Sequence, residues 1–168
     1  EIAGEVVKEL KVKLLGGAAP KVRTTDPKAY ALYLQARELG RQFNAEAFAK
    51  SDALYRQALE IDPGYAPAWD GLARNFTNKV SAGLLSGQEG FTHAREAREM
   101  ALAIDPDYAP AHAGLGYIAV YGDNDLAGAA RHYQRALALD PTALDVLRNV
   151  GLFLGNLGRL DEALALDE

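Results

Sequence analysis

One short phrase occurs three times in this chain, and each copy ends in Asp-Pro. The copies are Ala58-Leu59-Glu60-Ile61-Asp62-Pro63, Ala101-Leu102-Ala103-Ile104-Asp105-Pro106 and Ala136-Leu137-Ala138-Leu139-Asp140-Pro141. After two of them the chain restarts alike, with Tyr65-Ala66-Pro67-Ala68 and Tyr108-Ala109-Pro110-Ala111. Self-similarity at such a period is the signature of stacked structural repeats. Arrays of this kind present extended binding surfaces, so a surface that holds a partner is expected before a catalytic pocket.

The residues around each proline predict a chain of helices. Proline lacks an N–H and disfavours helical backbone at the residue before it, so each Asp-Pro ends a helix. Pro67 and Pro110 fall in the first turn of the next helix, where the missing N–H is tolerated. Asn44, Ser86 and Asp125 are well placed as N-caps. The predicted repeat helices cover residues 28–43, 45–61, 66–81, 87–104, 109–121, 126–139, 142–157 and 162–168, and no strand is required.

Large and small residues recur at matching places in each repeat. In two repeats these are Trp69, Leu72, Ala73, Phe76, Ala94, Ala101 and Pro106, then His112, Leu115, Gly116, Ala129, Tyr133, Ala136 and Pro141. The pattern resembles the tetratricopeptide repeat, a helix–turn–helix unit. The resemblance implies an all-α solenoid, with hairpins stacked into a right-handed superhelix over residues 28–63, 64–106, 107–141 and a truncated 142–168. Trp69 shares a stripe with the apolar residues of its helix, which predicts that it is buried.

The second repeat is longer than the others. A further Asp-Pro pair precedes the first repeat at Asp26-Pro27, and the prolines of the four pairs are successively 36, 43 and 35 residues apart. The excess in the second repeat lies between Thr77 and Thr92. One interpretation is that both helices of this hairpin are a turn longer and meet at Gly83. The other is a lid or docking loop beside the binding surface.

The first residues do not fit the repeat. Ile2, Val6, Val7, Leu10 and Leu14 form one apolar stripe, which predicts an amphipathic helix over residues 1–16. We interpret it as the end of an upstream domain in a longer protein, joined to the array by a linker over residues 17–27.

Two short phrases add a second resemblance. Residues 1–7 and 29–34 resemble the entry to the repeats in bacterial signalling proteins of the adenylate-cyclase or winged-helix regulator type. That resemblance implies a sensory or scaffolding part whose effector chemistry lies elsewhere.

Composition limits the classes of partner. The net charge of −5 argues against nucleic acid and anionic lipid as ligands. Cysteine is absent, which suits a reducing compartment, so we expect a cytoplasmic location. No apolar run approaches the ~20 residues that a membrane span needs.

No motif for catalysis, metal or cofactor binding emerges. His93, His112 and His132 are too far apart in sequence to share one helix face. Asp123-Asn124-Asp125 resembles the start of a calcium loop, but neither the glycine nor the closing glutamate follows. We therefore predict that the chain is not an enzyme and has no catalytic residue, metal site or cofactor.

The family resemblance also indicates where a partner would bind. In tetratricopeptide arrays the first helix of each hairpin lines a concave groove. The candidate groove residues are Tyr30, Tyr33, Arg37, Arg41, Asp70, Arg74, Asn78, Tyr117, Tyr121, Arg148, Asn149 and Asn156. Chaperone-binding members hold a terminal carboxylate with a Lys/Asn/Asn/Lys/Arg set, and the matching places here are Tyr33, Arg37, Gly71, Pro110 and Gly114. That clamp is therefore not expected.

Two functions remain open from the sequence. The first is a protein–protein interaction module that binds an extended, acidic segment of a protein or peptide partner. The alternative is a structural spacer or dimerisation arm of a regulator, without a ligand of its own. In that case a homodimer would form through the truncated last hairpin or the N-terminal helix.

Overall fold

The computed structural model describes residues 24–156 and 158. Within them the chain forms helices joined by short turns, and no strand occurs in that stretch. The helices are α1 Pro27–Gly40, α2 Ala45–Ile61, α3 Ala66–Ser81, α4 Gly87–Ile104, α5 Ala109–Tyr121, α6 Leu126–Leu139 and α7 Leu144–Asn156. The all-α prediction is confirmed. The helices predicted over residues 1–16 and 162–168 lie outside the described residues.

Most helix ends are where the sequence predicts them, because the caps form. The side chains of Asn44, Ser86 and Asp125 accept hydrogen bonds from backbone N–H groups three residues on, at 2.9, 3.2 and 2.8 Å. The first helix ends at Gly40 instead of residue 43. Phe43 has a φ of 52°, a left-handed conformation that a helix cannot continue through. Its ring packs on Phe48 at 5.6 Å, the contact of a hydrophobic staple.

The long second repeat is explained by longer helices. α3 and α4 have 16 and 18 residues and are joined by a short turn in which Gly83 has a φ of 70°. The first of the two interpretations is therefore confirmed, and the lid is wrong.

The described chain divides into two compact units, and the division follows Pro106. The N-terminal unit contains the hairpins α1/α2 and α3/α4, with α3 packed on both α1 and α2. Its core combines buried aromatic rings with alanines, which let helices approach closely: Phe48, Tyr55, Tyr65, Ala29, Ala36 and Ala73. The C-terminal unit contains the hairpin α5/α6, and α7 packs on both of its helices. Tyr133 and Phe153 form its aromatic centre, at 5.1 Å.

Candidate functional site

Helix α1 exposes one stripe of side chains. Tyr30 and Leu34 are 48% and 37% exposed, and Arg37 and Arg41 are also exposed. Residues three and four apart share one face of a helix, so these four side chains form a continuous row. An aromatic ring, an aliphatic side chain and two guanidinium groups therefore follow one another along α1.

Helix α3 lies beside α1 and runs in the same direction. Tyr33 is 5.4 Å from Tyr65, which directly precedes α3, and a Cβ placed on Gly40 would lie 2.8 Å from Oδ1 of Asn75. Later residues of α1 thus meet later residues of α3. The half-exposed residues on the accessible side of α3 are Pro67, Arg74 and Asn78. We call the row on α1, together with these three residues, the α1–α3 face.

A cluster of aromatic rings packs on the buried side of this face. Tyr33 stacks with Tyr30 at 6.2 Å and contacts the rings of Tyr55 and Tyr65 at 6.0 and 5.4 Å. The guanidinium carbon of Arg37 lies 5.9 Å from the centre of the Tyr33 ring, a cation–π arrangement. Burial raises the pKa of Tyr65 to about 12 and also raises the pKa of Tyr55. The positive charges of Arg74 and Arg37 lower the pKa of Tyr55, against the larger effect of burial.

Tyr33 itself is not a groove residue. It is 9% exposed and belongs to the core of the N-terminal unit. Its position on α1 faces α2 and α3, whereas Tyr30, three residues earlier, faces outward. The prediction that Tyr33 offers a binding surface is therefore wrong.

The prediction that Asp70 offers a binding surface is also wrong. It is 3% exposed, and its carboxylate lies 3.4 Å from both Arg74 and Arg98. Arg98 is on α4 and is itself buried, so Asp70 faces the partner helix of its own hairpin. Its role is to hold two arginines in place, because a buried cation needs a compensating charge.

The C-terminal unit has its own exposed aromatic pair. The rings of Tyr117 and Tyr121 lie 4.4 Å apart on α5, and Tyr121 is 46% exposed. On α7, Arg148 is exposed and forms an ion pair with Asp145 at 3.2 Å. The Asn149 amide donates to the Asp145 carbonyl oxygen at 2.9 Å, so part of its hydrogen-bonding capacity stabilises its own helix. The Asn156 side chain lies outside the description.

Known structures resemble this arrangement of hairpins. A thermophilic TPR protein of Thermus thermophilus, TTC0263, is 19% identical, with a TM-score of 0.71 over 98% of this chain and 79% of that chain. The first TPR of Spaghetti (RPAP3), bound to HSP90 peptide SRMEEVD, is 17% identical, with a TM-score of 0.62 over 80% of this chain and 99% of that chain. The chain has the tetratricopeptide-repeat fold.

Sequence comparison adds one relative and no family model. No protein-family model matches the chain. A protein of Rhizobium meliloti (strain 1021) named Putative adenylate cyclase 3 is 35% identical over 71 residues. That match covers 40% of this chain and 12% of the relative, so it concerns a small part of a much longer protein.

The aligned tetratricopeptide hairpins show which of the predicted groove residues are exposed and which are buried. In this alignment Pro67, Arg74 and Asn78 of the second repeat are equivalent to Tyr30, Arg37 and Arg41 of the first. These positions are exposed or half-exposed in both repeats. Tyr33 and Asp70 are also equivalent to each other, and neighbouring helices cover both side chains. Leu34 was missed because it is apolar, although its spacing from Tyr30 and Arg37 places it in the accessible row. On α7, Leu152 is 51% exposed.

Two further features bear on chemistry. Within the described residues, no group of three or more His, Cys, Asp or Glu side chains could hold a metal ion. None of the helices described is long and apolar enough to cross a membrane.

Trp69 is half-buried instead of fully buried, and its indole N–H donates to the Pro63 carbonyl oxygen at 3.1 Å.

Proposed function

We propose that this tetratricopeptide chain is a protein-interaction module, and that it binds an extended, acidic segment of a partner along the α1–α3 face. The observation that carries the proposal is the row of guanidinium groups on that face. Arg37, Arg41 and Arg74 share this face with exposed Tyr30, in a protein whose net charge is −5. A cationic, aromatic surface on an acidic protein favours an anionic ligand.

The residue types suit a peptide carboxylate. Arginine offers a planar fork of donors that matches a carboxylate, and arginine and tyrosine are enriched at binding hot spots. The amide of Asn78 is suited to pair with the backbone of an extended chain. The Arg37 guanidinium is already held against the Tyr33 ring, so less side-chain freedom is lost on binding. In the C-terminal unit, Tyr117 and Tyr121 supply a second contact surface in this proposal.

The structural neighbours support a peptide ligand of acidic character. The RPAP3 repeat was solved with the HSP90 peptide SRMEEVD, which carries three acidic residues among seven. The residues here at the family's carboxylate-clamp places include Gly71, Pro110 and Gly114, which offer no cationic side chain. We therefore propose an internal acidic segment, and not a chaperone tail, as the ligand.

The same proposal covers the wider context. We propose that the module has no catalytic role and works in the cytoplasm, within a longer bacterial signalling protein. Its partial similarity to the Rhizobium meliloti protein supports that context.

Charge reversal on α1 tests the binding face. Labelled peptides with four neighbouring Glu residues would be titrated with the chain and with R37E/R41E, by fluorescence anisotropy. We expect the double variant to lose at least about tenfold in affinity, because two hot-spot cations become anions. Glu→Gln peptides should bind the unaltered chain weakly.

A matched control separates local contacts from net charge. K50E/R56E makes the same change of charge on exposed residues of α2, the other helix of the hairpin. It should leave peptide affinity within about twofold and leave the circular-dichroism melt near its original midpoint. Equal losses in both double variants would contradict a specific face. Absence of binding to any acidic peptide would favour the spacer or dimerisation arm, to which exposed Leu144 and Leu152 on α7 would contribute.

A further inference from the structure

The α1–α3 face changes its chemistry from one end to the other. Toward the N-terminal ends of the two helices its side chains are apolar or aromatic: Tyr30, Leu34 and Pro67. Further toward the C-terminal ends three side chains are cationic, Arg37, Arg41 and Arg74, and the neutral amide of Asn78 follows Arg74 on α3. The two groups therefore form an apolar end and a cationic end of one surface.

The register of the helices keeps these ends separate. Tyr33 packs on Tyr65, and Gly40 lies against Asn75, so residues of α1 meet α3 residues 32 to 35 positions later. In this register Leu34 is level with Pro67, and Arg41 is level with Arg74. This register therefore places apolar residues of the two helices at one level and arginines of the two helices at another.

We propose that this face recognises two features of one ligand, an apolar side chain and a carboxylate three residues apart. The proposal deepens the proposed function and rests on it. On α1, Tyr30 at the apolar end is seven residues before Arg37 at the cationic end. At a rise of 1.5 Å per helical residue this separation is about 10 Å. An extended chain covers that length in about three residues.

Among the three arginines, Arg37 carries most of the preference for the carboxylate. Arg41 is paired with Glu38 at 3.3 Å, and Arg74 is paired with Asp70 at 3.4 Å. The contact of Arg37 is with the ring of Tyr33, which orients the guanidinium without neutralising its charge. Among the described residues, a ligand carboxylate at Arg37 therefore does not compete with an internal one.

Peptides of equal composition test the spacing. Labelled Gly/Ser peptides of about 12 residues, each with one Leu and two neighbouring Glu, would be titrated with the intact chain by fluorescence anisotropy. The distance from Leu to the nearer Glu would be one, three or six residues, in both orders along the peptide. We expect one order at the three-residue spacing to bind about tenfold more tightly than the others, a typical hot-spot contribution.

Two protein variants assign the two features to their residues. L34S should abolish the preference for Leu over Ser in the peptide and keep the preference for Glu over Gln. R37Q should do the reverse, and both residues are exposed, so folding should be retained. Binding that depends on Glu and Arg37 but not on spacing would overturn this inference and leave the proposed function standing. Binding of none of the peptides, or no effect of R37Q, would overturn both.

Discussion

Asp52 sits at a junction of three helices and is held there by polar partners. Its Oδ1 accepts a hydrogen bond from the Asn75 amide at 2.7 Å, and its Oδ2 lies 2.5 Å from the Lys79 ammonium. The same Asn75 amide group donates to Ser51 at 2.8 Å, and Ser51 donates to the Ala36 carbonyl oxygen at 2.7 Å. The network joins α1, α2 and α3, so it helps to specify which helices pack together.

Removing the Asp52 carboxylate should therefore be costly. In D52A the Lys79 ammonium, whose side chain is 17% exposed, keeps its charge without that acceptor, and the Asn75 amide loses a partner. We expect the free energy of unfolding to fall by roughly 3 kcal/mol, measured by urea denaturation. The matched control is E46A, which breaks the exposed Glu46–Lys50 pair on the same helix. A loss in D52A as small as that in E46A would contradict the network's importance.

At the scale of helices, one glycine lets α3 approach α2. A Cβ on Gly71 would lie 2.3 Å from the ring of Tyr55, which is 2% exposed, so the ring would have to shift. Gly116 on α5 has the same relation to Tyr133, at 2.8 Å. One contact lies between neighbouring hairpins and the other within a hairpin, and in each a buried tyrosine occupies the space that a side chain on the facing helix would take.

Substituting Gly71 should show the cost of closing that space. G71A should lower the free energy of unfolding by about 1–3 kcal/mol, because overpacking displaces the Tyr55 ring. G155A on α7 is the control, since a Cβ there meets nothing within 4 Å. That change should be neutral or stabilising by up to about 1 kcal/mol, as alanine favours helix. A stable G71A protein in a chemical-denaturation series would contradict the tight contact.

The sequence predicted the helices well because each boundary depends on a local signal. Asn44, Ser86 and Asp125 cap through their own side chains, and the Asp-Pro pairs end helices without help from distant residues. The early end of α1 could not be foreseen, since the left-handed backbone of Phe43 accompanies its packing on Phe48. The half-exposure of Trp69 likewise depends on neighbours that periodicity does not identify.

The candidate site was predicted less well, for a tertiary reason. Helix periodicity identifies a row of residues but not the neighbour that covers it. Tyr33 and Asp70 are polar and suggested an exposed row, yet Tyr55, Tyr65 and Arg98 surround them. Leu34 was not among the predicted groove residues because its side chain is apolar, yet it lies in the exposed row of α1. All predicted groove positions other than Tyr33 and Asp70, including Arg148 and Asn149, stay predictions.

At the scale of the whole molecule, charge is distributed unevenly. The net charge is −5, yet three arginines line the accessible side of α1 and α3. An acidic protein repels acidic chains at long range, so attraction must come from close contacts on this face. Binding should therefore depend on where the peptide lies, and not only on total charge.

The binding of an acidic peptide to the α1–α3 face can be tested by mapping the bound peptide residue by residue. Amide chemical shifts of the isotopically labelled chain would be recorded by NMR during a titration with the best-binding Leu/Glu peptide. We expect the largest chemical-shift changes on α1 and α3, at Tyr30, Leu34, Arg37 and Arg74. Changes confined to the exposed residues of α2 and α4, with α1 unaffected, would contradict it.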